Sequence, residues 1–448
     1  MNANDPITAP DQAVNPHFLT HVVHTSDTHT VEASEDILAA NGLKLLARGA
    51  RIDAASRERL LAHKLRKSLE DSVTVVDGVD ATRFTPLAEQ LLDEHPLLAR
   101  LCLDANWPPV AGALGKMVLS APARSMLSVL DSSQRGRLRH AVGVAMVAMG
   151  LSRRIRPNLD GHHQTLALAG LMHDIGELYI DPKHFAKDTP LEPERWRNIV
   201  SHPLVGYRVL HDMAGVGPTV AEAVLLHHER LNGHGYPRGV SGDRLTLDGQ
   251  IVGVAEWLMA LVDSGLTPIS RASVATKLLP GEFAPELLKS LTNAAPTADE
   301  IAWVMEPPNA LEHHTGRVTR IATVLNNFRQ SRQWMSQQLG EGIGACKPIF
   351  EAAMLRLSRL QIAFSSAGLD TSHPDILLRE LGSHNDPALQ LEVLTILHEL
   401  EWRLRDLERR AWQRAVQLSP QELSVVHELV RRVKGDVLDG PVAAAPND

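Results

Sequence analysis

Seven residues of metal-ligand type recur at helix-sized intervals through the middle of the chain. His173 and Asp174 lie in the run LMHDIGELYI, on an apolar flank of Leu171, Met172, Ile175 and Leu178. A carboxylate buried without a partner on such a flank is disfavoured by several kcal/mol. A divalent ion removes that penalty, because imidazole nitrogen and carboxylate oxygen are both its natural ligands. Alone, the pair fits a satisfied His–Asp hydrogen bond in a core just as well. The others decide the reading: His140 in RLRHAVGVAMVAMGLS, His202 in SHPLVGYRVL, His227-His228 in AEAVLLHHER, and Glu256 in IVGVAEWLMALV. His140 to His173, His173 to His202, His202 to His227 and His228 to Glu256 are 33, 29, 25 and 28 residues apart. Each gap is one helix plus a connection, so five helices around a common axis can aim these groups at one point. Seven ligands exceed the four of a structural zinc. They suit two divalent ions sharing Asp174 as a bridge, with a bridging hydroxide as nucleophile in a displacement at phosphorus. His173 and Asp174 are the core of that catalytic unit. Ligands of histidine and carboxylate without cysteine suit Fe or Mn, with Zn a further option.

The elements that must carry these residues are mostly helical. Residues 1–17, polar with three prolines, read as a disordered lead. Residues 18–84 read as a small α+β module. It has strand-like pieces at Phe18–Val23, Thr30–Val31, Leu43–Ala47 and Val73–Val76, and a helix from Ser56 to Leu65. From Thr85-Pro86, an N-cap followed by proline, the chain turns helical. Capping boxes are predicted at Thr189, Thr219, Thr297 and Ser419, each with an acid three residues on, and Asp248 is placed to cap the helix bearing Glu256. Residues 85–300 therefore form a helical domain with its core at 130–290. A second helical domain spans 310–435. Within it Val393, Leu397, Leu400, Leu404, Leu407 and Ala411 keep heptad spacing. That stripe fits a bundle within one chain, or a homodimer through the C-terminal helices; the charged face of Arg403–Arg414 is expected in solvent.

Composition bounds the function. The chain has 448 residues and a formal net charge of −8, which argues against bulk nucleic acid or an anionic membrane as partner. Two cysteines exclude a disulfide framework and a cysteine zinc site. No signal peptide and no apolar run of membrane length is visible, so a cytoplasmic protein is expected.

The runs LMHDIGELYI, SHPLVGYRVL and HHERLNGHGYP, in this order and at these separations, resemble the HD-GYP branch of the HD metal-dependent phosphohydrolases over about residues 130–290. The resemblance implies an all-helical core around a two- or three-metal centre. It implies phosphodiesterase activity on the bacterial messenger cyclic di-GMP, giving the linear dinucleotide or GMP. The ligands carried over are His140, His173, Asp174, His202, His227 and His228, with Glu256 where the family usually has Asp. The loop Gly235, Tyr236, Pro237 is linked in that family to substrate access and to partners that synthesise cyclic di-GMP. The N-terminal segment also looks like a small module that precedes this domain in some members.

Departures from the pattern bear on substrate capture. Gly136 stands where trinuclear members have a glutamate, so a third ion is not expected. Glu177 replaces the usual lysine, Asn232 the usual Asp, and Gly265 an expected arginine. Each lost cationic contact to phosphate forfeits about 1.5–3 kcal/mol. Glu177, one turn from His173 if the helix continues, either faces solvent or a salt bridge, adding repulsion toward phosphate, or supplies an extra metal ligand. His162-His163 are expected in a loop, His211, His313 and His314 outside the site, His234 in the Gly-Tyr-Pro loop, and Trp257 in the core. The expected protein is thus mostly α, an HD-type helical bundle between an α+β N-terminal module and a helical C-terminal domain. Its expected function is hydrolysis of cyclic di-GMP, of reduced activity given the departures. The alternative is a degenerate member acting as a nucleotide- or protein-binding adaptor.

Overall fold

Asn15 and Pro16 set the first helix, α1 (Pro16–Thr25): the Asn15 side chain accepts from the amides of His17 and Phe18, and proline needs no donor at the first helical position. Phe18–Val23 is therefore helical, against the extended reading that its β-branched and aromatic residues suggest, and buries a stripe of Phe18, Leu19, Val22 and Thr25. The computed structural model describes residues 13–186, 193–278, 281–306, 314–366, 376, 379, 386–415 and 418–434. Residues 13–17, assigned from sequence to a disordered lead, are ordered: Ala13 bridges Lys64 and Asn15 caps α1.

The rest of the N-terminal module is two small antiparallel pairs. Strand β1 (Val31–Ala33) lies against β4 (Val73–Val75), with Val31 opposite Val75, and β2 (Ile37–Leu38) against β3 (Lys44–Leu46). Helices α2 (Ala54–Leu61) and α3 (Leu69–Ser72) fall between β3 and β4, α2 opening on a capping box of Asp53 and Ser56. This module holds the segment just beyond the His-Asp pair. The Tyr179 ring stacks on Phe18 at 4.8 Å, its hydroxyl donates to Glu70 at 2.5 Å, and its carbonyl accepts from Asn15.

The helical part begins with α4 (Phe84–Glu94), α5 (Pro96–Cys102), α6 (Val110–Leu114) and α7 (Ala121–Ser133). Then come α8 (Arg137–Ile155) and α9 (Asp160–Met172), followed by α10 (Pro193–Ile199), α11 (His202–His211), α12 (Pro218–Leu226) and α13 (Leu247–Asp263). Helix α8 is buried at every position from Ala141 to Arg153, as a helix apolar all round must be, and packs along α9, which in turn carries α12. The chain divides into two compact units, Met1–Ala186 with Ile199–Met259, and Lys187–Asn198 with Ala260–Asp448. The division cuts α13 just after the turn bearing Glu256, whereas the sequence reading runs that domain on to residue 300.

The second unit continues through α14 (Pro268–Leu278), α15 (Pro285–Leu288), α16 (Ala298–Val304), α17 (Thr315–Glu341), α18 (Lys347–Ser366), α19 (Pro387–Ala415) and α20 (Pro420–Lys434). The heptad stripe of α19 packs inside this chain. Val393, Leu397 and Leu400 join Val318, Ile321, Leu360 and Phe364, while Ala411 joins Phe328, Phe350, Leu357 and Val426. The face expected in solvent is not solvated throughout. Arg403 and Asp406 are buried, Arg403 on Glu282, and Asp406 between Arg356 at 2.8 Å and Arg410 at 2.7 Å. A helix packed on several sides has no free face, so its charges enter the interior as pairs.

Of the predicted caps, Thr297 and Ser419 hold, each side chain accepting from the amide three residues on. Thr85 lies inside α4 and Thr219 follows Pro218 inside α12. Thr246 rather than Asp248 caps α13, accepting from Gly249. Thr189, His313 and residues 1–12 lie outside the described residues. No described helix is long and apolar enough to cross a membrane, and Cys102 and Cys346 are both free.

Candidate metal centre

Helix α9 stops at Met172, so His173 caps it and Asp174 opens a 3-10 turn over Ile175–Tyr179. The pair therefore does not lie within a continuous helix, and its two side chains converge: His173 Nε2 is 3.2 Å from Asp174 Oδ2. Gly176 makes this turn possible. A Cβ there would stand 2.0 Å from the His202 carbonyl oxygen, so only glycine lets the turn seat against the start of α11. His202 occupies the first position of α11, with Pro203 next to it. His227 caps the end of α12, His140 lies in the first turn of α8, and Glu256 lies in α13.

Three of the histidines are aimed by one repeated device. The Nδ1–H of His173 donates to the Gly170 carbonyl at 2.8 Å, that of His202 to Ile199 at 2.9 Å, and that of His227 to Val224 at 2.5 Å. Each is a bond to the carbonyl three residues back, and in the neutral ring each leaves Nε2 as the nitrogen with the lone pair. The Nε2 atoms of His202 and His227 then face one another at 3.2 Å. Two lone pairs cannot share a hydrogen bond, so the neutral pair is repulsive unless a cation lies between them. His173 Nε2 faces carboxylates instead, and an ion there would take the place of the ring proton that they favour. It is fully buried, 3.2 Å from both Asp174 Oδ2 and Glu256 Oε2, with no aligned hydrogen-bond partner. This set of imidazole nitrogens and carboxylate oxygens fits a divalent metal.

Two groups of atoms could each hold one, and both include Asp174. His140, His173 and Asp174 form the first; Asp174, His202, His227 and His228 form the second. Asp174 Oδ1 faces His202 at 3.5 Å and His227 at 4.0 Å, while Oδ2 faces His173. Glu256 belongs to neither group but buttresses the first, its Oε2 3.0 Å from His140 Nε2. Six of the seven residues singled out in the sequence thus fall in two groups that share Asp174, and Glu256 stands on His140 and His173.

Burial and charge divide the centre. Burial works against protonation of His227, aided by His202 and His173, and pushes its pKa down to about 3. His228 is held well below its ordinary value by burial and by His227, His202 and Arg230. Both therefore present neutral nitrogens at pH 7. His173 is the opposite case: burial opposes its charge, but Asp174 and Glu256 outweigh that and raise its pKa well above normal. Despite burial, His173, Arg137 and His202 hold Asp174 well below the usual carboxylate range, as His140 and His173 do for Glu256.

Two residues of the site have little signal in the sequence. Arg137, at the start of α8, donates from Nη1 to Asp174 Oδ2 at 3.0 Å and from Nη2 to Glu177 Oε2. Glu177 is thus a buried salt-bridge partner, in neither candidate ion group among the described residues. Its carboxyl is raised by burial, against Arg137, with Asp174 adding to the rise. Glu229, the acid after the two histidines, accepts from the amides of Arg238 at 2.7 Å and Val240 at 3.1 Å and so ties down the Gly-Tyr-Pro loop. Gly235 packs on the backbone of Glu229, where a Cβ would come within 2.2 Å of its Cα. Tyr236 is buried and stacks on the His228 ring at 4.5 Å, with Pro237 next in line, so the loop walls the second ion group.

The remaining candidates lie elsewhere. His162 and His163 belong to α9, not a loop; His163 bonds Ser152 and His162 bonds Asp248. His211 pairs with Asp212 at the surface, and Asn232 accepts from the amide of His234. Trp257 is buried, Gly265 follows the end of α13, and His314 is buried beside His398 in the second unit.

A family model described as an HD domain matches residues 125–280, the segment that holds every candidate ligand. The chain carries an HD domain. Among curated proteins, a 3′3′-cGAMP-specific phosphodiesterase of Vibrio cholerae is 28% identical over 199 residues, 44% of this chain and 40% of its own length. A cyclic di-GMP phosphodiesterase of Thermotoga maritima is 28% identical over 158 residues, 34% of this chain and 43% of its own. A cyclic di-GMP phosphodiesterase response regulator of Xanthomonas campestris is 30% identical over 132 residues, 29% of this chain and 32% of its own. The chain therefore spans well under half of these relatives. The HD domain and the names of the relatives agree with the HD-GYP resemblance in the sequence.

Proposed function

We propose that this chain is a metal-dependent phosphodiesterase of cyclic dinucleotides, with cyclic di-GMP as the substrate implied by its HD-GYP motifs. One observation carries the reading: two sets of donor atoms, buried except for His140, share the Asp174 carboxylate, the arrangement that a pair of ions working on one phosphodiester requires. Two divalent ions, Fe or Mn, would be held by His140, His173 and Asp174, and by Asp174, His202, His227 and His228, with Glu256 buttressing the first. When bound, such ions activate water near neutral pH and clamp the phosphate oxygens. The protein's own part is to hold the imidazoles in one tautomer, keep His227 and His228 neutral, and exclude water from the floor of the site. Glu229 and Tyr236 fix the Gly235–Pro237 loop as the wall beside a bound nucleotide; the same loop is a candidate surface for proteins that synthesise the messenger. The relatives' names widen the substrate to include 3′3′-cGAMP. An adaptor role finds support in one contact, the Arg137 guanidinium already on Asp174.

The test is metal analysis of anaerobically purified protein, followed by turnover of cyclic di-GMP and 3′3′-cGAMP with Mn(II) or Fe(II) supplied. About two ions per chain, and linear dinucleotide or GMP as product, are expected. A variant with His173→Ala and Asp174→Ala should lose both. Stoichiometric metal without turnover of either dinucleotide rejects the substrate, and absence of metal supports the adaptor.

A further inference from the structure

The centre has a floor and a rim. His173, His202 and His227 are sealed from solvent, whereas the side chains of Arg137 and His140 are each 19% exposed, with Glu177 and Asp174 just behind them. A ligand arriving from solvent meets this rim first. Its one guanidinium comes from a different helix than the His-Asp turn. Nη1 points to Asp174 Oδ2, the oxygen that also faces His173, and Nη2 is tied to Glu177. These two bonds use one hydrogen on each terminal nitrogen, which leaves three of the five guanidinium donors for other acceptors. An ion engaging Asp174 in the first group competes with Nη1 for Oδ2. Glu177 keeps its hold on Nη2, so the guanidinium remains at the rim with Nη1 turned to whatever anion lies over the centre.

We propose that Arg137 is the phosphate-positioning residue of this site, held in aim by Glu177. The proposal rests on the phosphodiesterase reading and deepens it. The rim cation that the His-Asp-Ile-Gly run lacks at Glu177 is supplied from α8, and Glu177 is its anchor. The repulsion of Glu177 toward phosphate is then offset by the guanidinium that it holds at the rim. An arginine here offers two parallel donors to a phosphoryl group, which a lysine at 177 would meet as a point charge.

The test uses the full chain loaded with Mn(II), as Arg137→Ala, Arg137→Lys, and Arg137→Ala combined with Glu177→Lys. Three quantities are read: Mn bound per chain, affinity for inorganic phosphate by calorimetry, and KM against kcat for a cyclic dinucleotide. In Arg137→Ala, phosphate affinity should fall about 10- to 100-fold, the span of one charge-assisted hydrogen bond, and KM should rise with it. The number of Mn ions bound per chain at saturating Mn(II) should stay unchanged. Arg137→Lys should fall between the two, and the combined variant should recover most of the affinity through the new lysine. Unchanged phosphate affinity in Arg137→Ala, or no phosphate binding by the parent protein, overturns the proposal. So does a change in bound Mn: a gain would mean that the guanidinium occupies an ion's place, a loss that it only braces the ligands. A fall in phosphate affinity in a protein that hydrolyses no cyclic dinucleotide sustains Arg137 and rejects the substrate assignment instead.

Discussion

Replacing Gly176 by alanine tests how the ligands are brought together. The added Cβ would stand 2.0 Å from the His202 carbonyl oxygen and 2.7 Å from the Gly206 amide nitrogen, where ordinary contact begins at 3.4 Å. Both neighbours are backbone, so no side chain can swing away. The turn bearing Asp174 and the start of α11 must separate by about 1.4 Å, the shortfall of the closer contact. His202 is the first residue of α11, so its Nε2 is carried away from Asp174 Oδ1, now at 3.5 Å, and from His227 Nε2, now at 3.2 Å. Metal ligation tolerates about 0.2 Å, several times less than this displacement. Overpacking of this kind destabilises by about 1–3 kcal/mol, which leaves a protein of this size folded. The expected result is a Gly176→Ala protein with parental circular dichroism and a Tm lower by a few degrees. It should bind one ion per chain fewer, or bind it on the order of 100-fold more weakly, with turnover down about 100-fold for a displacement near 1 Å. Titration with Mn(II) followed by metal analysis reads the first, a dinucleotide assay the second. Parental metal affinity and turnover would refute the claim that backbone contact at Gly176 sets the ligand geometry.

Two further outcomes concern the second unit. His398 is pushed down to about 2 by burial and by the charges of Arg317, Arg271, His314 and Arg405 around it. The unfolded chain takes this proton near pH 6.5 and the folded one does not, so stability is complete above that pH and falls as pH drops toward 2. The slope is up to about 1.4 kcal/mol per pH unit. Urea unfolding at pH 7 and pH 5 should show a smaller difference in His398→Gln, and an equal one rejects the assignment. Glu282→Ala should remove the acid that the buried Arg403 guanidinium bonds, leaving only the more distant charges of Glu399 and Asp406 to balance it. A loss of about 3–5 kcal/mol is expected, against little change for Arg431→Ala at the surface; loss under 1 kcal/mol would show that water reaches the pair.

What could be read from the chain alone was whatever is local or periodic. The spacing of His140, His173, His202 and His227 follows from helix length plus connection, so their approach to Asp174 could be expected before any coordinates, whereas Glu256 stands on His140 and His173. Strands β1, β3 and β4 overlap stretches legible from the sequence, while β2 and the pairing were not, and the caps at Thr297 and Ser419 were legible from their acids three residues on. Where one local signal competed with another, the reading failed: Asn15-Pro16 makes a helix start that overrides the strand-like Phe18–Val23. Tertiary structure decided the rest. The chain could not reveal that α9 ends at the His-Asp pair, because the cause is the approach of His202 to Gly176 across 26 residues. Nor could it reveal that Arg137 answers Glu177 across 40 residues, or that Arg403 and Asp406 are interior. A side chain's charge is written in its residue type, but its partner is set by which helices pack together, and that depends on the whole chain at once.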